Sequence, residues 1–248
     1  MIDLLQRVGY VFELIVIIIA IILLILILIK YLTKKHKLTL YLFIIFLNLT
    51  LAIIFSWLSK VFYVHANDWG LNYLFNESIP APDIFQTWFI YRIAEFRISF
   101  VFFAIGMYYS YILKVKLFEK GYKTISRLFM ILYFIFTVFF SFFIYIRGNI
   151  ILDVIAFFLN FLFVVIVYIP LTYETYQSYR ITTIPAYKKG FLSLSIMGIF
   201  FILILMCFLF DRILILLGGP GFSVFYFLAW IFAILGIFST YLGYIQPK

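Results

Sequence analysis

Charged residues are scarce in this chain of 248 residues. Asp, Glu, Lys and Arg make up 12% of it, about half of the ~25% that is usual in soluble domains. Hydrophobic residues account for 67% and aromatic residues for 23%. A water-soluble fold of this length cannot hide that much apolar surface. The composition therefore predicts an integral membrane protein, whose main solvent is the lipid bilayer.

Cysteine and histidine are almost missing as well. The one cysteine, Cys207, excludes an intrachain disulfide, and its apolar surroundings predict a buried, inert thiol. The two histidines, His36 and His65, are too few and too far apart for a haem held by two histidines or for a His-rich metal centre. We therefore expect no metal and no cofactor.

Sequence signatures of membrane enzymes are also absent. No run carries the His-Glu-x-x-His pattern of zinc proteases, and neither Gly-x-Ser-x-Gly nor a paired-aspartate motif occurs. The glycine-rich run 218–221 lacks the strand–helix setting and the lysine of a phosphate-binding loop. We predict that the protein is not an enzyme.

Long apolar runs are what the chain does contain. A helix needs roughly 20 residues to cross about 30 Å of hydrocarbon. Seven runs reach that length: 10–29, 39–59, 84–113, 125–146, 149–172, 190–210 and 222–245. They are continuous, unlike the alternating strands of a membrane β-barrel. The sequence predicts an all-α, polytopic membrane protein, with one transmembrane domain of seven helices over 1–248 and no soluble domain.

Two of these runs leave an alternative open. Only Arg147 and Gly148 separate 125–146 from 149–172, so this pair could form a re-entrant hairpin. Each run alone is nevertheless long enough to span the membrane, and two spans are the expectation.

Basic residues concentrate in alternate connections. Thirteen share one predicted side: Lys30, Lys34, Lys35, Lys37, Lys114, Lys116, Lys120, Lys123, Arg127, Arg180, Lys188, Lys189 and Lys248. Four fall on the other side: Arg7, Lys60, Arg147 and Arg212. The positive-inside rule then predicts a cell-membrane protein with its N-terminus outside and its C-terminus in the cytoplasm. The net charge of +9 is explained by these loops, and no nucleic-acid partner is expected.

The longest connection, 60–83, lies on the predicted outer side. Its aromatic residues, among them Trp69, Tyr73 and Phe75, favour an interfacial half-helix, with a lid over a ligand as the alternative. Asn76-Glu77-Ser78 matches the N-glycosylation sequon.

Ionisable side chains inside apolar runs are energetically costly and mark candidate functional sites. They are Glu13 in the first run, Arg92, Glu95 and Arg97 in the third, Asp153 in the fifth, and Asp211 with Arg212 at the end of the sixth. All fall in the outer half of the predicted membrane. We expect a polar cleft between the first, third, fifth and sixth spans, open to the outside.

The third run carries most of these groups. On one continuous helix, a single face would hold Trp88, Arg92, Glu95, Ser99, Gly106 and Ser110. Arg92 and Glu95 are three residues apart and could pair. Arg97 points elsewhere and needs another anion, for which Glu13, Asp153 and Asp211 are available.

The predicted ligand-binding set is Arg92, Glu95, Arg97, Trp88, Glu13 and Asp153. In this hypothesis Arg92 contacts an anion, and Glu95 orients the Arg92 side chain. The alternative is that the same groups join helices together or extend toward the lipid headgroups.

Seven helices with the N-terminus outside and the C-terminus inside resemble the topology of rhodopsin-like receptors and of prokaryotic seven-helix sensor modules. The resemblance implies that a small-molecule or lipid ligand binds in an outward cleft. Two family features are missing: run 222–245 has no lysine for retinal, and the inner end of the third run has Tyr108-Tyr109-Ser110-Tyr111 in place of an acidic-Arg-Tyr signature.

Signal output would then need a separate cytoplasmic or membrane partner, docking on 114–124 or 173–189, because no output domain follows the seventh run. A transporter or channel, and a structural subunit of a larger membrane complex, are the alternative functions.

Overall fold

The computed structural model describes residues 4–76, 78–118, 124–144, 146, 149–219 and 222–245. Within these ranges the chain is helical and has no strand. The α-helices are α1 Leu4–Lys34, α2 Lys37–Val64, α3 Phe85–Ala94, α4 Arg97–Phe118, α5 Thr124–Phe143, α6 Ile150–Ile181, α7 Pro185–Leu216 and α8 Val224–Thr240. A 3-10 turn covers Asn72–Leu74, and α8 continues into a π-helical turn over Tyr241–Ile245.

Seven of the described helices, all except α3, are long and apolar enough to cross a membrane. This confirms the prediction of a multi-pass, all-helical protein. The closely spaced runs 125–146 and 149–172 form two separate helices, α5 and α6; Arg147 and Gly148 between them lie outside the described residues.

The third run is not one continuous helix, contrary to the prediction for 84–113. It is divided into α3 and α4 at Glu95 and Phe96, and Phe96 has φ of 59°. A bulky residue in the left-handed region cannot continue a right-handed helix. The predicted face from Trp88 to Ser110 is therefore interrupted, because its first residues belong to α3 and the rest to α4.

Six helices form a closed ring, in which each packs against the next in the order α1, α2, α4, α6, α7, α8 and back to α1. α5 lies outside the ring against α4 and α6, and α3 packs on α2 and α4. We call the end of the bundle that carries residues 65–84 the loop end. The opposite end, where Lys35 and His36 connect α1 to α2, is the turn end.

Large apolar side chains cover the outer surface of the bundle. Ile18 and Ile22 of α1 are 51% and 53% exposed, and Leu132 and Phe139 of α5 are 57% and 52% exposed. A soluble monomer rarely exposes apolar patches of this extent. Lipid is the environment that suits this surface.

The basic segments come together at the turn end. Lys114 lies 3.9 Å from Glu174, and Lys30 and Lys34 line a shallow groove with Leu117 and Tyr187. The segments 30–38, 114–118 and 173–189 thus share one end of the ring, as expected from the basic residues in alternate connections. Lys120, Lys123 and Lys248 lie outside the described residues.

Candidate functional site

A cavity of about 350 Å³ lies inside the ring, in the half nearer the loop end. Most of its wall comes from α2, the α3–α4 break with the start of α4, α7 and α8. Ala20 of α1, Phe157 of α6 and the connecting residues Phe75 and Phe222 complete it. Ligand pockets for small molecules fall in the range of about 300–1,000 Å³. The volume is therefore sufficient for a small ligand.

One face of α7 supplies much of the wall, at positions three and four residues apart: Phe201, Ile204, Leu205, Phe208, Asp211, Arg212 and Ile215. This is the spacing of a single helical face. α8 contributes Tyr226, Trp230, Ala233 and Ile237 with the same period.

The charged residues of the lining lie above its deepest part. On α2, Ser56, Ser59 and Lys60 lie between Tyr63 and Val64, which are nearer the loop end, and Phe46 and Leu49, which are deeper. On α7, Asp211 and Arg212 lie in the same way between Ile215 and Phe201. The site therefore has a charged outer part and an apolar floor.

Glu13 and Lys60 form an ion pair beside the charged part. Lys60 Nζ lies 2.8 Å from Glu13 Oε1, which also accepts a hydrogen bond of 3.0 Å from Ser56 Oγ. Glu13 is fully buried and Lys60 is 7% exposed. Lys60 also lies over the rings of Phe96 and Tyr226, at 5.0 Å and 5.4 Å from their centres.

Lys60 was missed by the sequence reasoning, which placed it in the outer loop. α2 continues to Val64, so Lys60 lies within the helix, one turn after Ser56. The spacing of Ser56, Ser59 and Lys60 is the signal that could have identified this polar face.

Arg97 pairs with Asp153, one of the three partners predicted for it. Arg97 is fully buried, whereas Asp153 is half-buried at the start of α6. The pair joins α4 to α6 directly after the helix break, so these two residues lie next to the cavity but do not line it.

Arg212 and Asp211 are neighbours with different contacts. The Arg212 guanidinium lies over two rings, 4.8 Å from the centre of Phe96 and 5.0 Å from that of Phe157. Asp211 is 4% exposed, and its Oδ1 accepts hydrogen bonds from the backbone N–H and the hydroxyl of Ser223, at 2.9 Å and 2.6 Å. Asp211 thus anchors the start of α8, which Ser223 caps.

Arg92 and Trp88 lie apart from the cavity. The Arg92 guanidinium stacks on the Trp88 ring at 3.5 Å, and its Nε donates to the carbonyl of Phe142 at 2.8 Å. That carbonyl belongs to the last turn of α5, whose C=O groups have no partner within the helix. Arg92 therefore connects α3 to the end of α5. Of the six predicted site residues, Glu95 is the one that lines the cavity.

The connection between α2 and α3 folds over the loop end. Tyr73 and Leu74 are buried with Ala66 and Leu71, and the exposed Phe75 lines the cavity and packs edge-to-face on Tyr63 at 4.4 Å. In the sequon, Asn76 Oδ1 accepts hydrogen bonds from Ser78, and Glu77 lies outside the described residues.

The described part of the chain contains no group of three or more His, Cys, Asp or Glu side chains arranged to hold a metal ion. Comparison of the chain with known protein families, with curated proteins and with solved structures finds no match.

Proposed function

We propose that this protein is a seven-helix membrane receptor or sensor module, which binds a small or lipid-like ligand in the cavity and passes the signal to a separate cytoplasmic partner. One observation carries the proposal: a cavity with a charged outer part and an apolar floor lies inside a closed ring of helices. Convergent polar groups around an apolar pocket are typical of a binding site.

The cavity ends near the middle of the bundle, which favours a receptor over a channel. At its floor the rings of Phe46 and Phe201 lie 6.4 Å apart, and Phe201 stacks on Tyr168 at 5.1 Å. Below them Leu42 and Met107 are buried. Among the described residues, a ligand that enters from the loop end meets packed apolar side chains at this level.

The proposed orientation places the loop end outside the cell and the basic turn end in the cytoplasm, in accord with the positive-inside rule. α7 lines the cavity and begins at the turn end, at Pro185. A ligand that shifts α7 would therefore move the surface formed by the end of α6 and the start of α7. This surface, 173–189, is the proposed docking site for the partner.

The proposal is tested by native mass spectrometry of the protein purified from its own membranes, followed by distance measurement between spin labels at positions 180 and 116. We expect a non-covalently bound mass that is lost in Ala233→Phe, a change that fills the cavity floor. Returning the released compound should change the distance in the wild type and not in Ala233→Phe. Binding without a change in distance would contradict a signalling role.

One feature favours a transporter as the second candidate. Transporters often place their substrate site at discontinuous helices, and the break at Glu95 and Phe96 lines this cavity. Uptake of the same compound into proteoliposomes that contain the protein would support transport in place of sensing.

A further inference from the structure

We infer that the cavity takes a single-chain anionic amphiphile, whose headgroup contacts Arg212 and whose hydrocarbon chain lies on the apolar floor. The inference rests on the proposed function, because it names the class of ligand for the same cavity. The headgroup chemistry is a carboxylate or a phosphate ester.

Arg212 is the residue of the cavity wall that would bind the anionic headgroup. Arg212 is half-buried in the cavity wall, and its guanidinium lies over the rings of Phe96 and Phe157. No acceptor among the described residues lies within hydrogen-bonding distance of it. A guanidinium presents five N–H donors in a fixed plane that matches a carboxylate or a phosphate. Contact with the two rings restricts the guanidinium, and its N–H donors remain available to a ligand.

The other cations near Arg212 are engaged by protein carboxylates. Lys60, which also lines the cavity, pairs with Glu13, and Arg97 pairs with Asp153. Lys60 and Asp153 are both close enough for their charges to act on Arg212, Lys60 by repulsion and Asp153 by attraction. An anion bound at Arg212 adds to that attraction and offsets the repulsion from Lys60.

Two carboxylates share the cavity wall and limit the charge that it accepts. Asp211 is directed to Ser223, where it holds the start of α8. Glu95 lies in the wall at the helix break and opposes an anion through its charge. We therefore expect Glu95→Gln to strengthen the binding of an anionic probe, and to do so more for a phosphate dianion than for a carboxylate.

The floor of the cavity accounts for the hydrocarbon chain. Phe46 and Leu49 of α2 face Phe201 and Leu205 of α7, and Ala233 of α8 completes this part of the lining. Each methylene moved from water to an apolar surface favours binding by about 0.8 kcal/mol, which corresponds to about fourfold. Affinity should rise with chain length until the floor is reached.

The experiment uses the full chain, delipidated and reconstituted in nanodiscs, with four probes of equal length: dodecanoate, dodecyl phosphate, dodecanol and dodecyltrimethylammonium. Binding is measured by native mass spectrometry. We expect saturable binding of both anions, with the stronger of the two identifying the headgroup. Arg212→Gln should weaken it about ten- to a hundredfold, and Arg212→Lys should retain part of it.

The controls separate the headgroup from the cavity. Arg180→Gln removes an exposed arginine at the turn end and should leave anion binding unchanged. Ala233→Phe should weaken dodecanoate more than hexanoate, because it occupies the floor. The melting temperature of each variant is recorded, and Arg212→Lys preserves a charged side chain if Arg212→Gln proves unstable.

The inference is overturned if dodecanol or the ammonium probe binds as tightly as the anions, or if Arg212→Gln leaves anion binding unchanged in a stable protein. If dodecanol or dodecyltrimethylammonium binds and Ala233→Phe abolishes that binding, the ligand occupies the cavity without an anionic headgroup. This result would overturn the inference and leave the receptor proposal standing. Absence of binding by all four probes overturns the inference; the receptor proposal is judged separately by the compound that co-purifies.

Discussion

The ammonium of Lys60 lies 2.8 Å from the carboxylate of Glu13, and the two side chains are 8% and 0% exposed. The pair joins α1 to α2 beside the cavity, and the hydroxyl of Ser56 completes it at 3.0 Å from the carboxylate. When the two ions are buried together, each compensates the charge of the other. Either one alone is an uncompensated charge in an apolar interior.

The first prediction concerns this pair. Glu13→Gln or Lys60→Met alone should lower the free energy of unfolding by about 3–5 kcal/mol, because each leaves one buried charge unpaired. The double variant should recover at least half of that loss. Unfolding in mixed micelles, followed by circular dichroism, measures all three variants. Lys188→Met, which changes an exposed lysine at the turn end, is the control and should have little effect. If the double variant is no more stable than the less stable of the two single variants, the two residues are not energetically coupled.

A second prediction follows from the left-handed backbone at Phe96, where φ is 59°. Phe96→Gly should be more stable than Phe96→Ala by about 1 kcal/mol, because glycine relieves a backbone cost of roughly 1–2 kcal/mol. Both variants lose the ring contacts with Lys60 and Arg212. The same two changes at Phe102, inside α4, should give the reverse order, since glycine is about 1 kcal/mol worse than alanine in a helix. The melting temperatures of the four variants test this prediction. The same order of the glycine and alanine variants at both positions would contradict a helix break at Phe96.

Arg92 distinguishes the two hypotheses drawn from the sequence. Because its guanidinium binds the Phe142 carbonyl and stacks on Trp88, we expect Arg92→Leu to lower stability by about 2–3 kcal/mol and to leave dodecanoate affinity within twofold. Arg212→Leu should have the opposite effects: a smaller loss of stability and a clear loss of dodecanoate affinity. Loss of ligand binding in a stable Arg92→Leu protein would restore Arg92 as the anion contact.

Close packing of α6 on α7 gives a further prediction. A Cβ added at Gly198 would overlap Thr172 Oγ1, although it would lie 3.4 Å from Thr172 Cβ. Gly198→Ala should therefore cost about 1–3 kcal/mol of stability, and Thr172→Ala should suppress the defect in the double variant. Thr172→Ala alone should change stability little, because its hydroxyl is buried with no hydrogen-bond partner among the described residues. Denaturant titration of the single and double variants provides the measurement, and failure of the suppressor would refute this contact.

The proposed orientation is tested by cysteine labelling in intact cells, in a Cys207→Ser background. Asn76→Cys at the loop end should react with an impermeant maleimide added outside. Lys35→Cys and Lys188→Cys at the turn end should react only after permeabilisation. All three positions are exposed in the structure, so a failure to react reports the compartment and not burial. The reverse pattern would invert the orientation and place the cavity on the cytoplasmic side.

Much of the fold could be predicted because lipid imposes a simple length requirement. Runs such as 39–59 and 190–210 are apolar enough to be identified one by one, and α2 and α7 contain them. The structure extends both helices beyond the runs, since a helix does not end where its hydrophobicity ends. That extension places Lys60, which was predicted in a loop, and Arg212, which was predicted at the end of the sixth run, in the walls of a cavity.

The site depended on relationships that no single segment encodes. Arg97 required an anion, and the chain offered three; the packing of α4 on α6 selected Asp153. The break at Phe96 lies within a run that has neither glycine nor proline at that point, so no local signal marked it, and the continuous face through Trp88 and Ser110 was wrong.

By itself the sequence determined that the chain is helical, that it belongs in a membrane, and that its basic segments share one end. These properties follow from local hydrophobicity and from the alternation of helix direction, which are readable along the chain. Only the tertiary structure decided that Glu13 belongs with Lys60 and that Arg212 faces a cavity. The reason is physical: a buried charge is stabilised by the groups that surround it in space, and these come from helices far apart in sequence.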